Sequence, residues 1–312
     1  GQAQRKLRQP HFHTCPVGDG LSAQLGVGHN GEGIGQRADL CAAEGDVLHR
    51  TLQRCGADPV SQFKGLFKNN DKAAEKVAGG VLGSQIAFQA AYCGFNVTIW
   101  LRSEGSIGRT QPKIDHLKQT YIEAIEKMAE DKNAWCAGLA DEDTFDKEKC
   151  LKKVENAYAN LKLELDMAEA VADADLVIES MAENEKDKIA FYEKLSPLLP
   201  EKTVIVTNSS TLLPSMFAKY TGRPDKYLSL HFANSIWKNN TAEVMTQAQT
   251  DEKYFNEVMQ FANDIRMIGL PVRKEKSGYL LNSMLVPFLL SGLDLYAAGV
   301  SDPESIDIAW TR

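Results

Sequence analysis

The chain is short of cysteine, of long apolar runs and of positive charge, and each shortage closes off a class of protein. Its six cysteines, at positions 15, 41, 55, 93, 136 and 150, form no C-x-x-C pair and are too few to frame 312 residues. That argues against a disulfide scaffold, and a reducing, cytoplasmic setting is the simplest expectation. The greasiest segment, Tyr279 to Leu290, is shorter than a bilayer crossing, and no apolar run near the start reads as a secretion signal. No membrane span is expected. With 35 Lys and Arg against 42 Asp and Glu, the net charge is -7, the wrong sign for nucleic acid or an anionic membrane as main partner. An anionic small molecule would have to meet a local basic patch. What is present, 43% hydrophobic and 25% charged residues, is ordinary for a soluble globular chain long enough for one large domain and part of a second.

Residues 1–73 read differently from the rest. The first sixty hold five of the eleven arginines and four of the six histidines but one of the 24 lysines, with no sustained period of 2 or 3.6 before Asp39. Composition marks 1–73 as a poorly patterned leader, appended or mis-framed, or else a disordered arm, with one short amphipathic helix at 39–55. His11, His13 and Cys15 alternate in an irregular, Pro-flanked run with no second ligand cluster behind them, so no metal is expected there. The stretch GVGHNGEGIG matches G-x-G-x-x-G through Gly26, Gly28 and Gly31. A phosphate-binding turn, however, works only when a strand delivers it and a helix starts from it, because the helix N-terminus supplies the free N–H groups. Neither flank qualifies, and the match is read as accidental.

The stretch VAGGVLGSQIAFQ, 77–89, misses the same pattern by one letter and has the right surroundings. After Gly83 a helix with small Ala87, Ala90 and Ala91 ends at Gly94, and FNVTIWL follows as an apolar strand. Gly79, Gly80, Val81, Leu82 and Gly83 are the candidate cofactor turn. Ala78 stands in the first glycine slot, where a Cβ at positive φ costs roughly 1–2 kcal/mol, and the strand AAEKVA before it is weakly apolar. Beyond it the spacing predicts helix 111–129, strand 160–166, a short helix 167–174, strand 175–181, helix 186–199, strand 202–208 and strand 227–232. Strand and helix taking turns in this way predict an α/β, doubly wound, mostly parallel sheet with helices on both faces.

In open α/β sheets ligands bind beyond the carboxyl ends of strands. Polar residues found there are Glu179 after DLVI, Asn208, Ser209 and Ser210 after KTVIVT, His231 in YLSLHF and Glu243 in TAEVM. A histidine with a carboxylate on one ring nitrogen can exchange a proton with a hydroxyl near neutral pH, its unperturbed pKa being about 6.5. A hydride acceptor nearby would complete an alcohol dehydrogenase. The same residues also have plain structural readings: Ser209 and Ser210 as caps of a following helix, Asn282 as an amide satisfied within an apolar helix, Glu179 as a solvated strand-end carboxylate and Lys188 as a surface lysine.

Taken together, VTNSSTLLPS, then HFAN with His231 placed 21 residues after Ser210, then Glu243 twelve residues further, then SGYLLNSMLVPFL, resemble the 3-hydroxyacyl-CoA dehydrogenase family. DLVIESMAENEKDK is similar to that family's D-L-V-x-E-A-x-x-E-x-x-x-x-K segment. The resemblance runs from about Ala74 to Trp310. It implies a Rossmann-like NAD(P)-binding domain over 74–275 and, over 276–312, the first part of a C-terminal helical domain, incomplete here. It implies hydride transfer between the C3 hydroxyl carbon of a short 3-hydroxyacyl-CoA and NAD or NADP, with His231 as general base, Glu243 as its partner, and Ser210 and Asn282 bonding the reacting oxygen. Glu179, Lys188 and Asn208 are implied as cofactor contacts, and a homodimer is implied where the helical domain is complete.

This sequence departs from the family's pattern at Ala78, at Ser235 and Ser283, and at the end of the second strand. There the acidic residue that grips the ribose is replaced by Leu101, followed by Arg102 and Ser103. A guanidinium and a hydroxyl suit a 2′-phosphate, so Arg102 joins the cofactor candidates with a lean to NADP. Arg109, Lys113 and Lys118 on the next helix are candidate cations for the CoA moiety. Two rival readings stay open: a dehydrogenase of the same fold acting on a free hydroxy acid or sugar acid, and a non-catalytic nucleotide-binding relative.

Overall fold

The computed structural model describes residues 73–75 and 81–311. The leader with its expected helix at 39–55, the segments at 11–15 and 26–35, and Ala78, Gly79 and Gly80 lie outside the described residues.

Strand β1, Ala73–Glu75, runs parallel to β2, Asn96–Trp100, which in turn pairs in parallel with β3, Lys162–Glu164. A five-strand run follows: β4 Leu176–Glu179, β5 Val204–Thr207, β6 Tyr227–Phe232, β7 Thr241–Met245 and β8 Ile268–Val272, hydrogen-bonded in that order. Every pairing among the described strands is parallel except β6 with β7. The reversal follows from the link between them. Residues 233–240 are too few for a helical crossover, which takes a dozen or more residues, so the chain can only turn back on itself.

The helices are α1 Val81–Tyr92, α2 Glu104–Glu130, α3 Lys147–Asn160, α4 Met167–Val171, α5 Glu185–Leu195, α6 Glu252–Asp264, α7 Leu281–Ala297 and α8 Pro303–Thr311. The spacing missed α3, α6 and β8 and started α2 too late. Helix α2 begins eight residues before Pro112 and carries that proline in its interior.

Helix α1 is the centre of the core. From Gly83 to Tyr92 every residue is buried, and Ala87, Ala90 and Ala91 leave room for the sheet and for α2 and α3 to approach. Burying Ile86, Phe88 and Tyr92 contributes roughly 1.5–3 kcal/mol apiece. The polar member of this face, Gln89, is satisfied at both ends: its Nε2 donates to the carbonyls of Gly138 and Ile265 at 2.8 and 2.9 Å, and its Oε1 accepts from the Tyr121 hydroxyl at 2.7 Å. Gly94, at φ +96, ends the helix in a left-handed turn that a side chain would strain. The chain re-enters the sheet directly.

Helices α7 and α8 are apolar in composition but little covered. Met284, Leu293, Tyr296 and Trp310 are exposed, and among the described helices none is long and apolar enough to cross a membrane.

Candidate active site

Antiparallel pairing of β6 with β7 sets His231 directly opposite Glu243. Their side chains meet, Nδ1 to Oε2, at 2.9 Å, and both are buried. The other oxygen of Glu243 is also taken: Oε1 accepts the backbone N–H groups of Leu280 and Leu281 at 2.8 and 2.9 Å, the first free donors of α7. A carboxylate is favoured at a helix N-terminus, where unpaired N–H groups concentrate positive potential. With Glu243 acting as acceptor at both oxygens, the proton in the short contact belongs to Nδ1. The lone pair of Nε2 is thereby left for a ligand.

Three further contacts hold the imidazole and its surroundings. The Tyr279 ring stacks on His231, 4.6 Å between centroids and 16° between planes. Its hydroxyl donates to the carbonyl of Ser209 at 2.7 Å, and burial pushes this phenol well above its ordinary range, so it remains a donor. Tyr279 holds φ +48, unusual for a residue with a side chain and costly by roughly 1–3 kcal/mol. One residue earlier, the Gly278 N–H donates to the carbonyl of Ser210 at 3.2 Å. The loop after β5, the imidazole on β6 and the start of α7 are thus tied together.

Ser210 and Asn282 are both brought to this neighbourhood. Asn282 is half-buried in the first turn of α7, and no hydrogen bond joins its side-chain amide to a described residue. Ser209 and Ser210 do not cap a helix. Instead they bind Glu183: the Ser209 hydroxyl donates to both carboxylate oxygens at 2.9 and 2.7 Å, the Ser210 N–H donates at 2.8 Å, and the Ser210 and Thr211 hydroxyls at 3.4 and 3.3 Å. Glu183 lies in DLVIESMAENEKDK, four residues after Glu179. Its spacing to Glu179 was the available signal.

Glu179 and Lys188 prove to be neither solvated strand end nor surface lysine. Both side chains are fully buried and pair with each other, Lys188 Nζ lying 2.7 Å from each carboxylate oxygen. Glu179 also accepts from the Met181 N–H at 2.6 Å, the Thr207 hydroxyl at 2.8 Å and the Tyr192 hydroxyl at 3.0 Å. A buried carboxylate needs all of this to offset its lost hydration. The pair builds the floor under the loops after β4 and β5, at the carboxyl ends of the strands where the cofactor contact implied for these two residues would fall. Asn208 Oδ1 accepts the Phe232 N–H at 3.0 Å, joining the ends of β5 and β6.

The glycine turn reaches the described residues at Val81, Leu82 and Gly83, the first turn of α1, which holds no acidic residue. Gln85, one residue past that turn, accepts the N–H of Ser235 just beyond β6 at 2.8 Å. The helix start that would face a pyrophosphate and the strand end that carries His231 therefore share one edge of the sheet. Along the same edge, Arg102, Arg109 and Lys113 line an open cleft between the end of β2, α2 and the loop after β4. Lys118, expected beside them, is paired with Glu155 of α3 at 2.8 Å instead. Among the described residues no three His, Cys, Asp or Glu side chains gather as metal ligands. The donor set of the edge (free helix N–H groups, cations, and the Ser180 hydroxyl oxygen, buried with no partner) fits a phosphorylated nucleotide.

Comparison with known proteins gives a consistent picture. A family model described as "3-hydroxyacyl-CoA dehydrogenase, NAD binding domain" matches residues 76–276. The mitochondrial hydroxyacyl-coenzyme A dehydrogenase of Homo sapiens is 28% identical over 233 residues, 75% of this chain and 68% of that protein. A 3-hydroxybutyryl-CoA dehydrogenase of Clostridioides difficile is 28% identical over 235 residues, 75% of this chain and 74% of that one. Among solved structures, one described as "Substrate-directed dual catalysis of dicarbonyl compounds by diketoreductase" superposes with a TM-score of 0.66 at 41% identity, covering 77% of both chains.

Proposed function

The chain belongs to the 3-hydroxyacyl-CoA dehydrogenase family, and from that premise we propose that it moves a hydride between C3 of a short 3-hydroxyacyl thioester and a nicotinamide dinucleotide. The nicotinamide, when bound, supplies the hydride acceptor. His231 takes the proton of the 3-hydroxyl at Nε2 as the hydride leaves, and returns it in the reverse direction. Glu243 holds Nδ1–H, fixes that tautomer and stabilises the imidazolium once it forms. Ser210 and Asn282 offer a hydroxyl and an unengaged amide to the reacting oxygen. Glu183 holds the loop that presents Ser210, and the N-terminus of α1 would hold the pyrophosphate of a bound dinucleotide. General acid–base help of this sort is worth roughly 10²–10⁴-fold in rate.

The observation that carries this reading is the 2.9 Å contact of His231 with Glu243 on the same sheet edge as the glycine turn. A second reading, reduction of dicarbonyl compounds that lack CoA, is favoured by the 41% identity to the diketoreductase. Both use the same base. Following dinucleotide absorbance with acetoacetyl-CoA and with a CoA-free 1,3-diketone separates them. Faster turnover per unit concentration of the thioester supports the first reading, and turnover of the free diketone alone replaces it with the second. His231→Ala should abolish turnover of either substrate while leaving dinucleotide binding intact; unchanged turnover would remove His231 from the role of base.

A further inference from the structure

The cleft at the end of β2 has a composition at odds with a plain ribose site. Its polar lining consists of Arg102, Ser106, Arg109, Thr110, Lys113 and Ser180, with no carboxylate among the lining residues. The Arg109 guanidinium donates to the Ser106 hydroxyl at 2.9 Å, and Ser106 lies 3.1 Å from the hydroxyl of Ser103. Arg102 is exposed and makes no ion pair with a described residue. Three cations thus converge on one concavity in a chain whose net charge is -7. Such a local reversal of sign raises the concentration of an anion at that spot.

The position of the cleft says which anion. In a sheet of this kind the adenosine ribose of a dinucleotide lies at the carboxyl end of the second strand, where an acidic side chain takes the ribose hydroxyls or an arginine takes a 2′-phosphate. Leu101 holds the position of that acid and is turned inward, 3% exposed, so it offers the ribose nothing. No carboxylate lines the cleft in its place. Glu164, at the end of β3, spends Oε1 on the N–H groups of Leu165 and Asp166 at 2.7 and 2.9 Å, and Glu104, in the first turn of α2, is not part of the lining. A bare 2′-hydroxyl would find no acceptor of the usual kind, whereas a phosphate dianion would find a fork of guanidinium donors and hydroxyls.

We infer that this cleft binds the 2′-phosphate of an adenosine ribose, with Arg102 and Arg109 as its principal donors, so that the phosphorylated dinucleotide is preferred over NADH. The inference rests on the dehydrogenase reading and deepens it. The same chemistry could come from the 3′-phosphate of CoA, since both are phosphate monoesters on an adenosine ribose. The place of the cleft at the end of the second strand, on the edge shared with the glycine turn, favours the dinucleotide.

The test is a binding measurement on the whole chain. Fluorescence titrations with NADPH and NADH should show NADPH tighter by roughly ten- to a hundredfold, the range expected from charge-assisted hydrogen bonds to one phosphate. Arg102→Ala should remove most of that advantage by weakening the binding of NADPH, whose 2′-phosphate the guanidinium would hold. Calorimetric titration with adenosine 2′,5′-bisphosphate and adenosine 3′,5′-bisphosphate distinguishes the two sources: tighter binding of the 2′,5′ isomer supports the assignment. Tighter binding of the 3′,5′ isomer gives the cleft to CoA and overturns it. NADH equal to or tighter than NADPH overturns the inference and leaves the dehydrogenase reading standing; failure of both dinucleotides to bind would bring down the two together.

Discussion

Exchange of Glu243 for glutamine keeps the length of the side chain and one acceptor oxygen but turns the other oxygen into an NH2 donor. In the wild-type site Oε1 serves two N–H groups of α7 and Oε2 serves His231 Nδ1. A single amide oxygen cannot serve both. Turned toward the imidazole, it would leave two helix donors facing an NH2 group, losing two hydrogen bonds to a charged acceptor at roughly 1.5–3 kcal/mol each. Turned toward the helix, it loses one such bond and the anionic charge at the helix N-terminus, together about 2–3 kcal/mol. The second orientation wins. The amide NH2 then faces Nδ1, which must present a lone pair, and the ring proton moves to Nε2, where the substrate hydroxyl needs an acceptor. Glu243→Gln should therefore lower kcat by roughly 10²–10⁴-fold while costing about 2–3 kcal/mol of stability, and Glu243→Ala, which strands all three donors, should cost about 3–5 kcal/mol. Urea denaturation gives the stabilities, and dinucleotide absorbance gives kcat. A glutamine variant as unstable as the alanine variant yet within threefold of the wild-type rate would show that the carboxylate serves the helix alone, and the tautomer argument would fail.

Other perturbations test other parts of the frame. Lys188→Met leaves Glu179 charged and fully buried without its cation; a loss of roughly 3–5 kcal/mol is expected by denaturant titration, with part regained in the Glu179→Gln/Lys188→Met double variant. Gly138→Ala would put a Cβ 2.8 Å from the Trp237 carbonyl oxygen and 2.9 Å from its Cα; backbone cannot step aside cheaply, so roughly 1–3 kcal/mol and a lower Tm should follow in calorimetry. Asp141 is held below the usual carboxylate range by its hydrogen bond to the Arg266 guanidinium. Its contribution is therefore present above the ordinary aspartate pKa of about 4 and is lost as pH falls through the lowered value. Arg266→Gln should flatten that acid limb of the stability curve, and an unchanged slope below pH 4 would rule the pair out as its source.

Much of this frame was legible before any coordinates, because period and spacing are local properties. Strands β6 and β7 coincide with YLSLHF and TAEVM, and the pairing of His231 with Glu243, which the family resemblance implied, is a cross-strand pair. The elements that escaped are those whose pattern is weak along the chain. Helix α3 buries only Cys150, Val154 and Ala157 among charged neighbours, and β8 carries a glycine and a proline in five residues. The roles of Glu179 and Lys188 escaped for a different reason: a buried ion pair and a solvated one have the same letters, and only the closure of Tyr192 and Thr207 over the carboxylate tells them apart. Likewise nothing in the spelling of Glu243 announces that its second oxygen will meet main-chain donors 37 and 38 positions later.

That shared carboxylate couples the imidazole to the start of a helix 37 and 38 residues further along the chain. The carboxylate that holds His231 Nδ1 is itself held by the first turn of α7, so the setting of the imidazole depends on the seating of that helix. Any force that unseats that helix, whether a nick in the 273–278 connector or a ligand prying from outside, would disarm the chemistry and leave the nucleotide fold standing. Control of the reaction need not touch the reaction centre at all.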